Sequence, residues 1–275
     1  MQETKSGENH PHKPLHEDVN IRDVTVKGYF QAIKGFFNWC EREELIKKNP
    51  TKNLDNPKVS RYVIKTFANE QIKAMLEACD TCTMIGFRDY TIILLLLDSG
   101  IRVSELCGLT LDRVYLEVLN EAFIKVMGKG RKEREVGLSS EVAQHLWKYI
   151  HAYRHPKDGS NQTLFINLFG ASLTIFGIEQ MLEEVAKRAK ITGVRVSPHT
   201  FRHTFARMFL ENGGDVYKLS LLLGHSSVVV TENYLKDFYS RNARQGQSKH
   251  SPVASLEVGK MKRGFRKSPT DILGA

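Results

Sequence analysis

Six residues between positions 102 and 234 are of the types that phosphoryl transfer without a metal ion would use: Arg102, Lys129, His199, Arg202, His225 and Tyr234. Cutting one strand of a polynucleotide needs a nucleophile, cationic donors for a phosphorus centre that gains negative charge, and an acid for the departing oxygen. A planar guanidinium suits two phosphate oxygens at once. Tyrosine, with a reference pKa of about 10, is mostly protonated at neutral pH and attacks only beside a base and a cationic field. Taken singly, each residue has a plainer reading. Arg102 with Glu105 is an ordinary intrahelical ion pair, Lys129 a solvated turn residue, His225 a capping or packed histidine, and Tyr234 or its rival Tyr239 a half-buried aromatic. His199 and His203 have the i, i+4 spacing of a zinc pair, but Thr200 stands where the glutamate of H-E-x-x-H belongs.

The elements around these residues read as mainly helical. Tyr29, Phe30, Ile33, Phe36, Phe37 and Cys40 follow helical spacing over Thr25 to Glu43, after which Asn49-Pro50 and Asn56-Pro57 break the chain. A second helical pattern starts near Asn69, a candidate cap, with Ile72, Met75, Leu76 and Cys79 on one face. Phe87 to Leu97 reads as a buried helix that Gly100 ends, and Ile101 to Leu106 opens another. Ala122 to Met127 and Glu133 to Leu138 form a hairpin around Gly128-Lys129-Gly130. Helical spacing returns from Ile175 to Lys190. Ser197-Pro198 predicts a helix start, with Ser as cap and Pro in the first turn, and that helix ends at Gly213-Gly214. Asp215 caps a further helix that Gly224 ends, which places His225 at a fixed terminus. Val228 to Leu235 is a weakly helical, β-branched segment carrying Tyr234.

Domain cuts follow from composition. Residues 1–20 are polar and aperiodic, an expected disordered N-terminus. Residues 21–57 form a small helical unit, 58–68 a basic linker, 69–242 the main domain and 243–275 a flexible basic tail. Forty Lys and Arg against 31 Asp and Glu give a formal charge of +9, which favours an anionic partner without identifying it. The longest apolar run, Ile92 to Leu97, is too short to span a bilayer, and Met1 to His16 has no apolar signal core, so a cytoplasmic protein without a membrane partner is expected. Four cysteines do not make a secreted disulfide framework, and Cys79-Asp80-Thr81-Cys82 has no second pair to complete a zinc site.

Four segments occur together in one order: Ser99-Gly100-Ile101-Arg102-Val103-Ser104-Glu105-Leu106, Gly128-Lys129-Gly130-Arg131-Lys132-Glu133-Arg134, Pro198-His199-Thr200-Phe201-Arg202-His203, and Leu223-Gly224-His225-Ser226-Ser227. With Tyr234 nine residues after His225, they resemble the tyrosine recombinase (phage integrase) family over residues 25 to 240 or so. The resemblance implies a mainly α catalytic domain with a small antiparallel β-hairpin or sheet, preceded here by a shortened helical, SAM-like core-binding domain. It implies that Arg102 and Arg202 hold the non-bridging oxygens of the scissile phosphate, Lys129 protonates the leaving 5′ oxygen, His199 takes or shares the tyrosine proton, His225 hydrogen-bonds the phosphate, and Tyr234 forms a 3′-phosphotyrosyl link. Glu105 would orient Arg102.

Further expectations follow from the same resemblance. Lys58, Arg61, Lys65, Arg131 and Lys132 are candidate DNA-binding residues. Because the phosphotyrosyl bond preserves the energy of the phosphodiester, no cofactor and no metal are expected; no G-x-x-x-x-G-K-[ST] loop is present in the sequence. The implied partners are double-stranded DNA with specific recombination sites, further copies of the chain in a dimer to tetramer synapse, and accessory DNA-bending or directionality factors. Leu256 and Val258 in the tail are candidates for docking in trans. The setting is a bacterial or archaeal nucleoid, and the reaction integration, excision or resolution. Two alternatives share parts of this pattern, a type IB topoisomerase and a truncated, non-catalytic DNA-binding relative.

Overall fold

The computed structural model describes residues 21–59, 65–128 and 132–224. The chain divides into two compact units, residues 1–63 and 64–275. In the first, α1 (Asp23–Arg42) begins with an acidic residue that suits the positive helix end, and its last turn is followed by turns and bends to residue 53 and irregular chain to residue 59. Of α1 only Cys40 is buried, and Tyr29, Ile33, Phe36 and Trp39 are exposed. Asn49 is tied back to the helix, donating from its amide to Asn38 Oδ1 at 2.6 Å and from its backbone to Glu41 Oε1 at 3.1 Å.

The second unit is built on α3 (Met84–Ser99). Phe87, Ile92, Ile93, Leu95 and Leu96 are buried on different sides of this helix, as expected of a helix enclosed by its neighbours. Thr83 caps its start by accepting from Gly86 N. The other helices are α2 (Asn69–Glu77), α4 (Val103–Cys107), α5 (Ser140–Lys148), α6 (Ile175–Arg188), α7 (Pro198–Glu211) and α8 (Val216–Leu223). Asn69 is not the cap of α2. That position is Ala68, whose backbone N–H is accepted by Gln71 Oε1 at 3.0 Å, so the third helical residue does the capping from inside. Ser197 and Asp215 do cap α7 and α8, accepting from Thr200 N and Lys218 N, and Pro198 opens α7.

The hairpin of β2 (Phe123–Met127) and β3 (Glu133–Gly137) is extended by a two-residue strand, β1 (Val114–Tyr115), into an antiparallel sheet of order β1-β2-β3. Register pairs Ile124 with Val136 and Val126 with Arg134. Ile124, Val126 and Val136 are buried, which places Arg134 on the inward face as well. The structure adds α5, not among the elements expected above, and the π-helical turn Tyr149–Tyr153 that continues it. Arg88, buried beside Asp89, fastens the following loop by donating to Ile166 O at 3.0 Å.

Two contacts set the frame for the site. Phe67, ahead of α2, donates from its backbone to Thr204 Oγ1 at 3.1 Å and packs its ring 4.8 Å from that of Phe201 on α7. Gly100, at the end of α3, sits at φ +58, and a Cβ there would lie 2.2 Å from Phe205 Cδ1. Left-handed backbone for an L side chain costs about 1–2 kcal/mol and core overpacking about 1–3. Gly100→Ala should therefore lower the unfolding free energy by roughly 2–5 kcal/mol in urea titrations; a loss below about 0.5 kcal/mol would contradict this packing.

Candidate active site

Arg102 stands at the N-cap of α4. Glu105, the third residue of that helix, reaches back to it twice. Its Oε2 accepts from Arg102 N at 2.8 Å, and its Oε1 accepts from the Arg102 guanidinium at 2.9 Å. The expected Arg102–Glu105 pair is therefore present, and the carboxylate side chain is only 2% exposed. A carboxylate so enclosed is costly unless its lone pairs are filled.

Arg134 fills them. From the inward face of β3 it places two parallel bonds on Glu105, at 2.8 Å to Oε1 and 2.9 Å to Oε2, and donates from Nε to Leu222 O at 2.8 Å. Arg134 lies inside the glycine-flanked basic motif, whose residue order alone gives it no role. A signal was available: in Glu-Arg-Glu-Val-Gly, Val136 must face the core, so the arginine two positions earlier faces inward and needs a buried partner.

Arg202, on α7 and 5% exposed, donates to Gly100 O at 2.7 Å and Leu223 O at 2.6 Å. Arg102 completes the set by donating to Gly224 O at 3.4 Å. Three arginines from three elements thus meet three successive carbonyls, Leu222, Leu223 and Gly224, at the C-terminus of α8. Those carbonyls have no partner within the helix and carry its partial negative charge, so cations gather there readily. Gly224 adopts φ +60, and a Cβ on it would press within 3.1–3.2 Å of the Arg134 guanidinium.

His199 is exposed in the first turn of α7, one turn before Arg202. His203, a turn after His199, is partly buried; burial first, then the charges of His199 and Arg202, push its pKa down to about 4. It is therefore neutral at neutral pH. Among the described residues no group of three His, Cys, Asp or Glu could hold a metal ion. In the C-x-x-C pair, Cys79 is buried with its thiol pushed up to about 11, chiefly by burial, while Cys82 is exposed. Lys58 and Lys132 are exposed, as is Lys65, which donates to Gly193 O at 3.0 Å. Lys129, Arg61, Arg131, His225 and Tyr234 lie outside the described residues, as do Leu256 and Val258. The chain enters the 129–131 connection at Gly128, where a Cβ would stand 3.8 Å from Glu105 Oε1, and leaves α8 at Gly224.

Three guanidinium groups against one carboxylate leave the cluster net positive, suited to a phosphate whose charge grows during transfer. Burial pushes the Glu105 carboxyl up, but bonds from Arg134 and Arg102 outweigh it and hold it below the usual glutamate range. That contribution to stability is complete above the unfolded value and is lost as pH falls through the lowered folded value. His203 acts earlier. The unfolded imidazole gains its proton near 6.5 while the folded one waits until about 4, so stability is lost over that interval. The unfolding free energy should fall as pH drops from about 6.5 to 4, and His203→Gln should flatten that limb; an unchanged slope in the variant would refute the assignment.

The phage integrase family profile matches residues 65–241. Tyrosine recombinase XerD of Pseudomonas aeruginosa is 34% identical over 227 residues, covering 79% of this chain and 75% of that protein. The crystal structure of XerA recombinase aligns with a TM-score of 0.58 at 29% identity, over 83% of this chain and 76% of that one. XerH site-specific recombinase, in a post-cleavage complex with its palindromic difH substrate, aligns with a TM-score of 0.68 at 22% identity, over 82% and 67%, a likeness of fold. With the arginine cluster in the expected segments and most of the chain matched, this protein belongs to the phage integrase family of tyrosine recombinases, enzymes of site-specific DNA recombination that break and rejoin strands.

Proposed function

We propose that this chain cleaves and rejoins double-stranded DNA at a specific recombination site through Tyr234. The observation that carries the reading is the convergence of Arg102 and Arg202, 100 residues apart in sequence, on adjacent carbonyls at the end of α8. Both guanidinium planes are fixed before substrate arrives, which is what transition-state stabilisation of a phosphorane-like centre requires. The phenolic oxygen of Tyr234 attacks phosphorus as the bond to the 5′ oxygen breaks. His199 receives the tyrosine proton, Lys129 supplies one to the departing 5′ hydroxyl, and His225 donates to a phosphate oxygen. The reverse attack by a 5′ hydroxyl from another strand reseals the backbone without outside energy. Catalysis needs no cofactor in this scheme.

Lys129, His225 and Tyr234 lie outside the described residues; the reading is supported by where the described chain stops on either side of them, at Gly128, where a Cβ would stand 3.8 Å from Glu105 Oε1, and at Gly224, which ends α8. Lys58, Arg61, Lys65, Arg131 and Lys132 would bind the DNA backbone, a sequence-independent contribution that weakens with salt. Residues 21–57 would serve as a partial core-binding unit, 58–68 as linker, 69–242 as catalytic domain, and 243–275 as a tail engaging a neighbouring copy. Recombination by strand exchange calls for a synapse of up to four copies. Accessory bending or directionality factors, and service to a mobile element, belong to the same reading.

The test is covalent capture. A pool of nicked duplexes with a randomised core lets the short 5′ fragment escape after cleavage and traps the intermediate. The wild-type chain should yield a 3′-linked adduct enriched in one sequence, and Tyr234→Phe should lower its yield by at least about 10³-fold. Adducts without sequence preference, with relaxation of plasmid DNA, would identify a topoisomerase. Absence of any adduct from the wild type would reduce the chain to a DNA-binding relative, and an adduct that survives the substitution would exclude Tyr234.

A further inference from the structure

We propose that Arg134 is a positioning residue for strand cleavage, tying the hairpin that carries Lys129 to Arg102 and to the last turn of α8. This rests on the function proposed above and extends it to a residue that contacts no substrate. Its guanidinium is used on two edges. The fork of terminal nitrogens grips both oxygens of Glu105, and Nε holds Leu222 O. Glu105 in turn holds Arg102, while the next two carbonyls of α8 are held by Arg202 and Arg102. The hairpin end is equally close, since a Cβ at Gly128 would meet the Arg134 guanidinium at 3.4 Å.

Geometry separates this from an ordinary structural ion pair. The Arg134 side chain is 14% exposed and that of Glu105 2%, so water screens the contact poorly and neither partner readily finds another. Without Arg134, Arg102 remains the partner of both Glu105 oxygens, through its backbone N–H to one and its guanidinium to the other. Arg102 would then be drawn further onto the carboxylate and away from the position in which a phosphate can use it. Lysine cannot substitute, because one ammonium cannot make the fork and the Nε bond together.

The experiment uses the full chain and the nicked duplex enriched by covalent capture, with single-turnover cleavage measured across DNA concentrations. In Arg134→Gln the half-saturating DNA concentration should stay within about 3-fold of wild type while the maximal rate falls about 10²-fold, the scale expected of misplaced catalytic groups. Arg134→Lys should recover less than about a tenth of the rate. Because Arg134 acts through Glu105, the Glu105→Gln/Arg134→Gln double variant should be no more than about 3-fold slower than the slower single variant. This pair also removes the buried charge, so it supplies the rate if Arg134→Gln alone fails to fold. A wild-type maximal rate in either the single or the double variant overturns the proposal, and so do single effects that multiply. If the wild type itself forms no adduct, the functional reading falls and this inference with it; an adduct unaffected by Arg134 removes this inference alone.

Discussion

The catalytic unit is organised around one buried carboxylate. Glu105 accepts from the Arg102 backbone, the Arg102 side chain and both terminal nitrogens of Arg134. An enclosed carboxylate without such partners would be protonated or would destabilise the fold by several kcal/mol, in the range of about 3–5 for a broken buried pair. With them it becomes an anchor of defined direction. It lets two guanidinium groups approach each other, which their mutual repulsion would otherwise oppose, and it does so without leaving the cluster neutral.

The second half of the arrangement is the C-terminus of α8. Unpaired carbonyls at a helix end are usually met by water, a glycine-based turn or basic side chains. Here Arg134, Arg202 and Arg102 take Leu222, Leu223 and Gly224 in turn. A left-handed residue lets the chain leave in this geometry, and Gly224 at φ +60 provides it where a Cβ would press tightly, at 3.1–3.2 Å, on Arg134. Gly100 plays the corresponding part at the end of α3, offering its carbonyl to Arg202 two residues before Arg102. Two helix ends and two arginines are thereby fixed to one another, and the segment leading to His225 and Tyr234 starts from that junction.

The small unit has a different character. The helical spacing of α1 is real, but its aromatic stripe is largely exposed, with Tyr29 at 58% and Phe36 at 56%. In the second unit, by contrast, Phe67, Phe201, Ile92, Leu95 and Leu96 are fully enclosed, and the site stands on that rigid core.

Several features were legible in sequence because their causes are local. Ser197 with Pro198, Asp215, Gly100 and Gly224 mark helix ends through the backbone groups next to them, and the hairpin follows from alternation across a glycine-flanked turn. The Arg102–Glu105 pair is also local, spanning one turn. Other features were decided by contacts between distant residues. β1 exists because two residues find β2, and Gln71 rather than Asn69 satisfies the start of α2. The role of Arg134 depends on a carboxylate 29 positions earlier and a carbonyl 88 positions later. Sequence by itself determined which residue types were available for phosphoryl transfer and in what order. Only the tertiary structure decided which arginine holds which, because a guanidinium takes its meaning from the oxygens that packing brings within about 3 Å of it.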